Sequence, residues 1–122
     1  VAGVIVADAS VLMAWLDDCD VHHASAIEVL SGVDRFVVDP LTLAEVLVHP
    51  TRHGRDGEVI ARLEAIGMTV STLPLDARRL AHMRAGSGLR MPDCVVLVCA
   101  AAHGLPVATF NERLRAEADR PR

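Results

Sequence analysis

The chain has 122 residues, 52% of them hydrophobic and 23% charged, with a formal net charge of −4. That length suits a single domain over residues 1–122, and the apolar fraction excludes a disordered chain. No apolar run approaches the ~20 residues that span a bilayer, and no basic leader with a cleavage signal opens the sequence, so a cytoplasmic protein with no membrane association is expected.

Val4 to Ala7 is a short apolar run that stops at Asp8, as a fully buried strand does. Asp8-Ala9-Ser10 leads into an apolar helix through Leu16, and Asp17-Asp18-Cys19-Asp20 is a turn of like charges. Apolar residues recur at helical spacing from His22 to Leu30, with Gly32 as the stop. Phe36 to Val38 predicts a second strand, after which Asp39 caps a helix with Pro40 in its first turn. That helix is expected from Leu41 to about Val48, with Pro50 ending it. A helix over Glu58 to Ile66 and a strand over Met68 to Val70 follow. Asp76 opens a helix to about Ala85, and Gly86-Ser87-Gly88 reads as a loop. Pro92 starts the most apolar helix, ending at Gly104, and Val107 to Thr109 predicts a fourth strand. Beyond Asn111 the chain is polar, and residues 116–122 are expected to fray. Short strands alternating with helices predict an α/β domain: a three-layer α/β/α sandwich around a short parallel sheet of about four strands.

All 12 basic residues are arginine. The absence of lysine argues against P-loop nucleoside triphosphatases, Schiff-base enzymes and receiver domains, whose chemistry uses one. Cys19, Cys94 and Cys99 form no CxxC pair, which argues against a disulfide framework and a structural zinc site. Trp15, Phe36 and Phe110 are too few aromatics for a protein that reads bases mainly by stacking. Cys19-x-x-His22, with His23, reads as a turn and a helix start, the remaining histidines look scattered, and no nucleophile–His–acid set or serine elbow is visible.

Three acids stand in apolar surroundings: Asp8 at a strand end, Glu45 inside an apolar helix and Asp93 at the start of the most apolar one. Each has a local explanation. Asp8 can cap the next helix, Asp93 can complement a helix dipole, and Thr42-x-x-Glu45 matches a capping box. Together they point elsewhere, because ligands of open α/β sheets collect at the carboxyl ends of the strands. Two carboxylates ~5 Å apart repel by roughly 3 kcal/mol at an effective dielectric of 20. A cation or protons must offset that repulsion, and all-oxygen ligands favour Mg²⁺ or Mn²⁺ over zinc. A hard cation that retains waters is equipment for phosphodiester hydrolysis.

With these features the sequence resembles a PIN domain, and within that group a VapC-type toxin ribonuclease. The carrying segments are VIVADASVLMAWL with Asp8 and Ser10, HHASA around His22, PLTLAEVL with Glu45, and RMPDCVVLVCAAAHGLPVATFN with Asp93, over roughly residues 3 to 112. The resemblance implies that Asp8, Glu45 and Asp93 are catalytic metal ligands and that the Ser10 and Thr109 hydroxyls support them. The family commonly has a fourth acid where this chain has Thr109-Phe110-Asn111; Asn111 is expected to ligate weakly or through a water, with Glu112 a possible substitute. One well-bound Mg²⁺, with Mn²⁺ as an alternative, and a weak or substrate-completed second site are therefore expected. The family often continues to a fifth strand, of which the polar tail shows no sign.

The resemblance further implies endonucleolytic hydrolysis of RNA by metal-activated water, a cognate antitoxin partner and a homodimer. The net negative charge does not attract RNA by itself, so local arginines must, and Arg52, Arg55, Arg84, Arg90, Arg113 and Arg115 are the candidates. The alternative is a non-catalytic PIN-like module that binds RNA or protein. A phosphatase of the haloacid dehalogenase type also begins with a strand-end aspartate, but its pattern has a second aspartate where Ser10 stands and needs a lysine.

Overall fold

The computed structural model describes residues 3–121. The elements run β1 (Val4–Ala7), α1 (Ala9–Leu16), α2 (His23–Ser31), β2 (Arg35–Val38), α3 (Pro40–Arg52), α4 (Asp56–Ala65), β3 (Met68–Val70), α5 (Ala77–Ser87), α6 (Met91–His103), β4 (Val107–Ala108) and α7 (Glu112–Ala118). The four strands form one parallel sheet in the order β3-β2-β1-β4. Val6 pairs with Val37 on one side and Val107 on the other, so β1 is central and Asp8 leaves the middle of the sheet.

The central strands β1 and β2 bury residues of both faces, which is why they read as apolar runs, whereas the edge strand β3 exposes Thr69. Ala7, Phe36 and Val38 face a core shared with α1 to α4, including Leu12, Leu30, Leu43 and Leu63. Val6 and Val37 face the opposite core, built with Cys94, Val96, Leu97 and Leu114. The expected three-layer α/β/α arrangement with four parallel strands is what the chain adopts. Cys94 and Cys99 are packing residues whose thiols burial pushes upward, away from reactivity. Among the described residues no single helix is long and apolar enough to cross a membrane.

Two glycines are conformationally required. Gly104 ends α6 at φ 66 and turns the chain toward β4. Gly67, at φ 115, lies where a Cβ would meet the Arg35 backbone at 3.2 Å.

Three local expectations need correction. Helix α3 does not stop at Pro50 but runs to Arg52. The missing proline N–H forfeits one helical bond, a loss offset by the buried preceding turns, and the Pro50 carbonyl accepts from both His53 and Arg55. Gly86 and Ser87 form the last turn of α5 rather than a loop. The Ser87 hydroxyl donates to the Met83 carbonyl at 2.6 Å and accepts from the Leu89 N–H at 3.1 Å, and Gly88 takes the left-handed turn. The segment after Asn111 is helix α7 through Ala118, which lies within the stretch expected to fray. Its anchor is Leu114, fully buried; one large apolar residue in a polar segment leaves no periodicity to read.

Candidate active site

The order β3-β2-β1-β4 reverses direction between β1 and β4, and a cleft of about 100 Å³ opens at the carboxyl ends of those two strands. Asp8, Ser10, Glu45, Arg90, Asp93 and Asn111 are among its lining residues.

Asp8 is buried and held at both oxygens. Its Oδ1 accepts from the Ser10 hydroxyl at 2.6 Å and the Val11 N–H at 3.1 Å, so Asp8 also caps α1. Its Oδ2 accepts from the Thr109 hydroxyl at the end of β4. Ser10 Oγ accepts the Phe110 N–H at 3.0 Å, and Thr109 Oγ1 accepts the Asn111 N–H at 2.9 Å. The two hydroxyls stand 3.5 Å apart with their protons directed at Asp8. A carboxylate has about four lone-pair sites, so one on Oδ2 remains free to face the cleft.

Glu45 lies on α3 and Asp93 in the first turn of α6. Against expectation Glu45 is exposed, because its face of the apolar helix turns to the cleft rather than the core; Asp93 is half-buried. Among the described residues neither carboxylate has a hydrogen-bond or salt-bridge partner. Partial burial is the main cause raising the Glu45 carboxyl; Arg90 pulls it down, and Asp39 and Asp93 push it up. Burial likewise raises Asp93, opposed by Arg90 and Arg113 and reinforced by Asp8. The acids thus sense one another, but they do not form a closed cage. Among the described residues only Asp17, Asp18 and Cys19 bring three ligand atoms within 4.8 Å of one another, on an exposed turn.

The donor set fits a hard cation. It is all oxygen, with two uncommitted carboxylates and a third oriented by hydroxyls, and with room for the waters that such ions retain. Asn111 caps α7. Its Oδ1 accepts the Arg113 N–H at 3.0 Å and the Leu114 N–H at 3.2 Å as the cap of α7, leaving the amide N–H groups, which are donors and not ligands.

The arginines divide. Arg90 lines the cleft and Arg113 acts on Asp93. Arg115 donates to the Thr109 carbonyl and so braces the end of β4. Arg55 pairs with Glu58 at 2.8 Å, Arg52 is exposed in the last turn of α3, and Arg84 is in the last turn of α5.

Sequence reasoning missed two histidine contacts. The His22 ring stacks on Phe110 with centroids 4.6 Å apart, and His49 meets His53 edge to face at 4.7 Å. His49 and His53 are four residues apart, but ending the helix at Pro50 hid that they share a face. His23 Nδ1 donates to the Ala14 carbonyl at 2.7 Å and ties α2 to α1.

No curated protein matches the sequence. Among solved structures the fold is similar to a chain of a toxin–antitoxin complex from Klebsiella pneumoniae, with TM-score 0.72 and 21% identity, covering 88% of this chain and 86% of that one. It is also similar to PAE2754 from Pyrobaculum aerophilum, with TM-score 0.66 and 18% identity, covering 97% and 86%. The family profile of the PIN domain matches residues 5–119, which takes in all four strands but for Val4 and every acid of the cleft, and the chain therefore belongs to the PIN domain family.

Proposed function

We propose that this PIN domain is a Mg²⁺-dependent endoribonuclease, with Mn²⁺ able to substitute, acting in the cytoplasm as the toxin of a VapBC-type pair. PIN domains are generally nucleases, and one structural neighbour is a toxin–antitoxin complex. The observation that carries the reading is the pair of unpartnered carboxylates, Glu45 and Asp93, facing a cleft whose third acid, Asp8, is locked by two hydroxyls and a backbone N–H.

Asp8, Glu45 and Asp93 would hold the ion. When bound, Mg²⁺ supplies positive charge that favours attack of water on a phosphate ester and offsets the charge that develops. Ser10 and Thr109 orient Asp8 and spare it reorganisation when the site is loaded. Arg90 and Arg113 provide positive charge at the cleft for a phosphate, against a net charge of −4 on the whole chain that is unfavourable to RNA. Asn111 adds no carboxylate, so three acids balance one divalent ion and not two. An antitoxin would inhibit by covering the acids, and two copies of the chain would pair as a homodimer.

The test incubates RNA with the protein and Mg²⁺, with and without chelator, and repeats it with Asp8→Asn. Metal-dependent cleavage abolished by the substitution supports the enzyme. The second reading, a non-catalytic module, is favoured by the capping role of Asn111 and by the open spacing of the acids. RNA bound equally by both proteins and cut by neither would establish it in place of the first.

A further inference from the structure

A separate groove of about 640 Å³ runs beside the cleft and shares Glu45 with it. Glu45 and His49 stand one helical turn apart on α3, His53 follows four residues on as the residue that caps the helix C-terminus, and all three line this groove. Both histidines are exposed. Exposed imidazoles commonly extend into water, yet these two rings meet at 4.7 Å. Among the described residues neither ring has a hydrogen-bond or ion-pair partner, so their nitrogens are uncommitted. Asp17, Asp20 and Glu45 line the same groove together with Arg55, which pairs with Glu58, and Arg62, which lies over the Trp15 ring, so the acids there are not outnumbered by free cations.

We infer that His49 and His53 form a chelating pair for a zinc-class divalent ion, a site chemically distinct from the carboxylate cleft. Two imidazoles four residues apart on a helix can share one ion, as in helical His-x-x-x-His metal sites. Imidazole nitrogen selects zinc, nickel and copper over magnesium, whereas the neighbouring oxygen-only cleft has the opposite preference. The helix must continue past Pro50 for the pair to exist, since an α3 ending there would not place His53 on the His49 face. The two sites would share α3, with Glu45 one turn before His49, and an ion on the histidines would stand toward the C-terminal end of that helix.

The experiment titrates the untagged full chain with Zn²⁺ while Mg²⁺ is in excess, following all six histidine side chains by long-range proton–nitrogen NMR. Calorimetry supplies the stoichiometry. Perturbation of His49 and His53 together, complete near one equivalent, is expected. Heat and perturbation should be lost in His49→Gln and in His53→Gln, and retained in Cys19→Ser, with circular dichroism showing all three variants folded. Four results would overturn the proposal. These are no uptake by the unaltered chain, uptake that survives both histidine substitutions, uptake lost on Cys19→Ser, which would assign it to the exposed Asp17-Asp18-Cys19 turn, and uptake lost on only one histidine substitution, which would mean single-residue binding. Because the readouts are binding and NMR, the result is independent of whether the protein cleaves RNA.

Discussion

Asp8 and Asp39 are near copies at the level of local structure. Each ends a central strand, caps the following helix through Oδ1 and is almost wholly buried, at 5% and 1% exposure. Their second oxygens differ. Asp39 Oδ2 accepts from Thr42, three residues on, at 2.6 Å, so that carboxylate is satisfied within its own turn. Asp8 Oδ2 accepts from Thr109, a residue 101 positions away, on the far side of the strand reversal. One aspartate closes a turn, and the other ties two strands together at the mouth of a cleft. The difference teaches that a strand-end acid becomes a site when the sheet order leaves space beside it.

The largest expected effect breaks the comparison directly. Asp8→Asn should lower metal-dependent RNA cleavage by about 10²-fold or more, while Asp39→Asn leaves it within a few-fold, as measured by initial cleavage rates. Equal losses in the two variants would mean that the cleft is not where the chemistry occurs.

Next in size is the clamp on Asp8. Thr109→Val leaves a buried carboxylate oxygen short of its donor and should lower unfolding stability by about 1–3 kcal/mol in urea titrations. Asp39→Ala, which removes a helix cap and strands the Thr42 hydroxyl, should cost about as much, roughly 1–3 kcal/mol. Only Thr109→Val should also weaken Mg²⁺ binding.

Smaller effects follow from Glu45 and Asp93, whose carboxyls sit above their ordinary values of 4.5 and 3.8 chiefly through burial. The folded chain therefore retains protons that the unfolded chain has already released. Without a divalent ion, the contribution of these two groups to stability is fullest below the ordinary values and is lost as pH rises through the raised ones. At neutral pH, Glu45→Gln or Asp93→Asn should stabilise the metal-free protein by about 1 kcal/mol or less, given solvent screening. Mg²⁺ should raise the Tm of the unaltered chain, and either substitution should diminish that rise. A melting temperature of the metal-free unaltered chain that rises relative to that of both variants between about pH 4 and 7 would contradict this sign.

The smallest effect concerns Asn111. Aspartate caps helices as well as asparagine does, so Asn111→Asp should change stability by about 0.5 kcal/mol or less. It adds a fourth carboxylate to the cleft, and calorimetric titration with Mn²⁺ should then show uptake beyond the first equivalent. No change in metal uptake would mean that the capping bonds hold the new carboxylate away from the ion.

Much of this was legible in the chain itself. Apolar runs of strand length between amphipathic segments identify a parallel sheet buried on both sides, because such strands cannot alternate. Asp39-Pro40 announces a helix start, and the acids of the cleft stand out because ionised groups rarely interrupt apolar stretches. Less visible were features that depend on partners distant in sequence. Pro50 signals a helix end locally, yet packing of Leu43 and Val46 carries α3 past it. Leu114 does not mark a helix on its own, but its complete burial against the second core holds α7 in place.

The amino-acid order alone was enough for the four strands, most of the helices before α7 and the three-layer class, since these follow from hydrophobic periodicity, and it singled out three acids as candidates by the cost of charge in apolar surroundings. Only the tertiary structure decided which oxygens are free. Asp8 is bound at both oxygens, the Asn111 oxygen is consumed by a helix cap, Glu45 and Asp93 are unpartnered, and His49 meets His53. The physical reason is that hydrogen bonding is settled by whichever donor the fold brings within 3 Å or so, and local sequence does not encode donors that arrive from a hundred residues away.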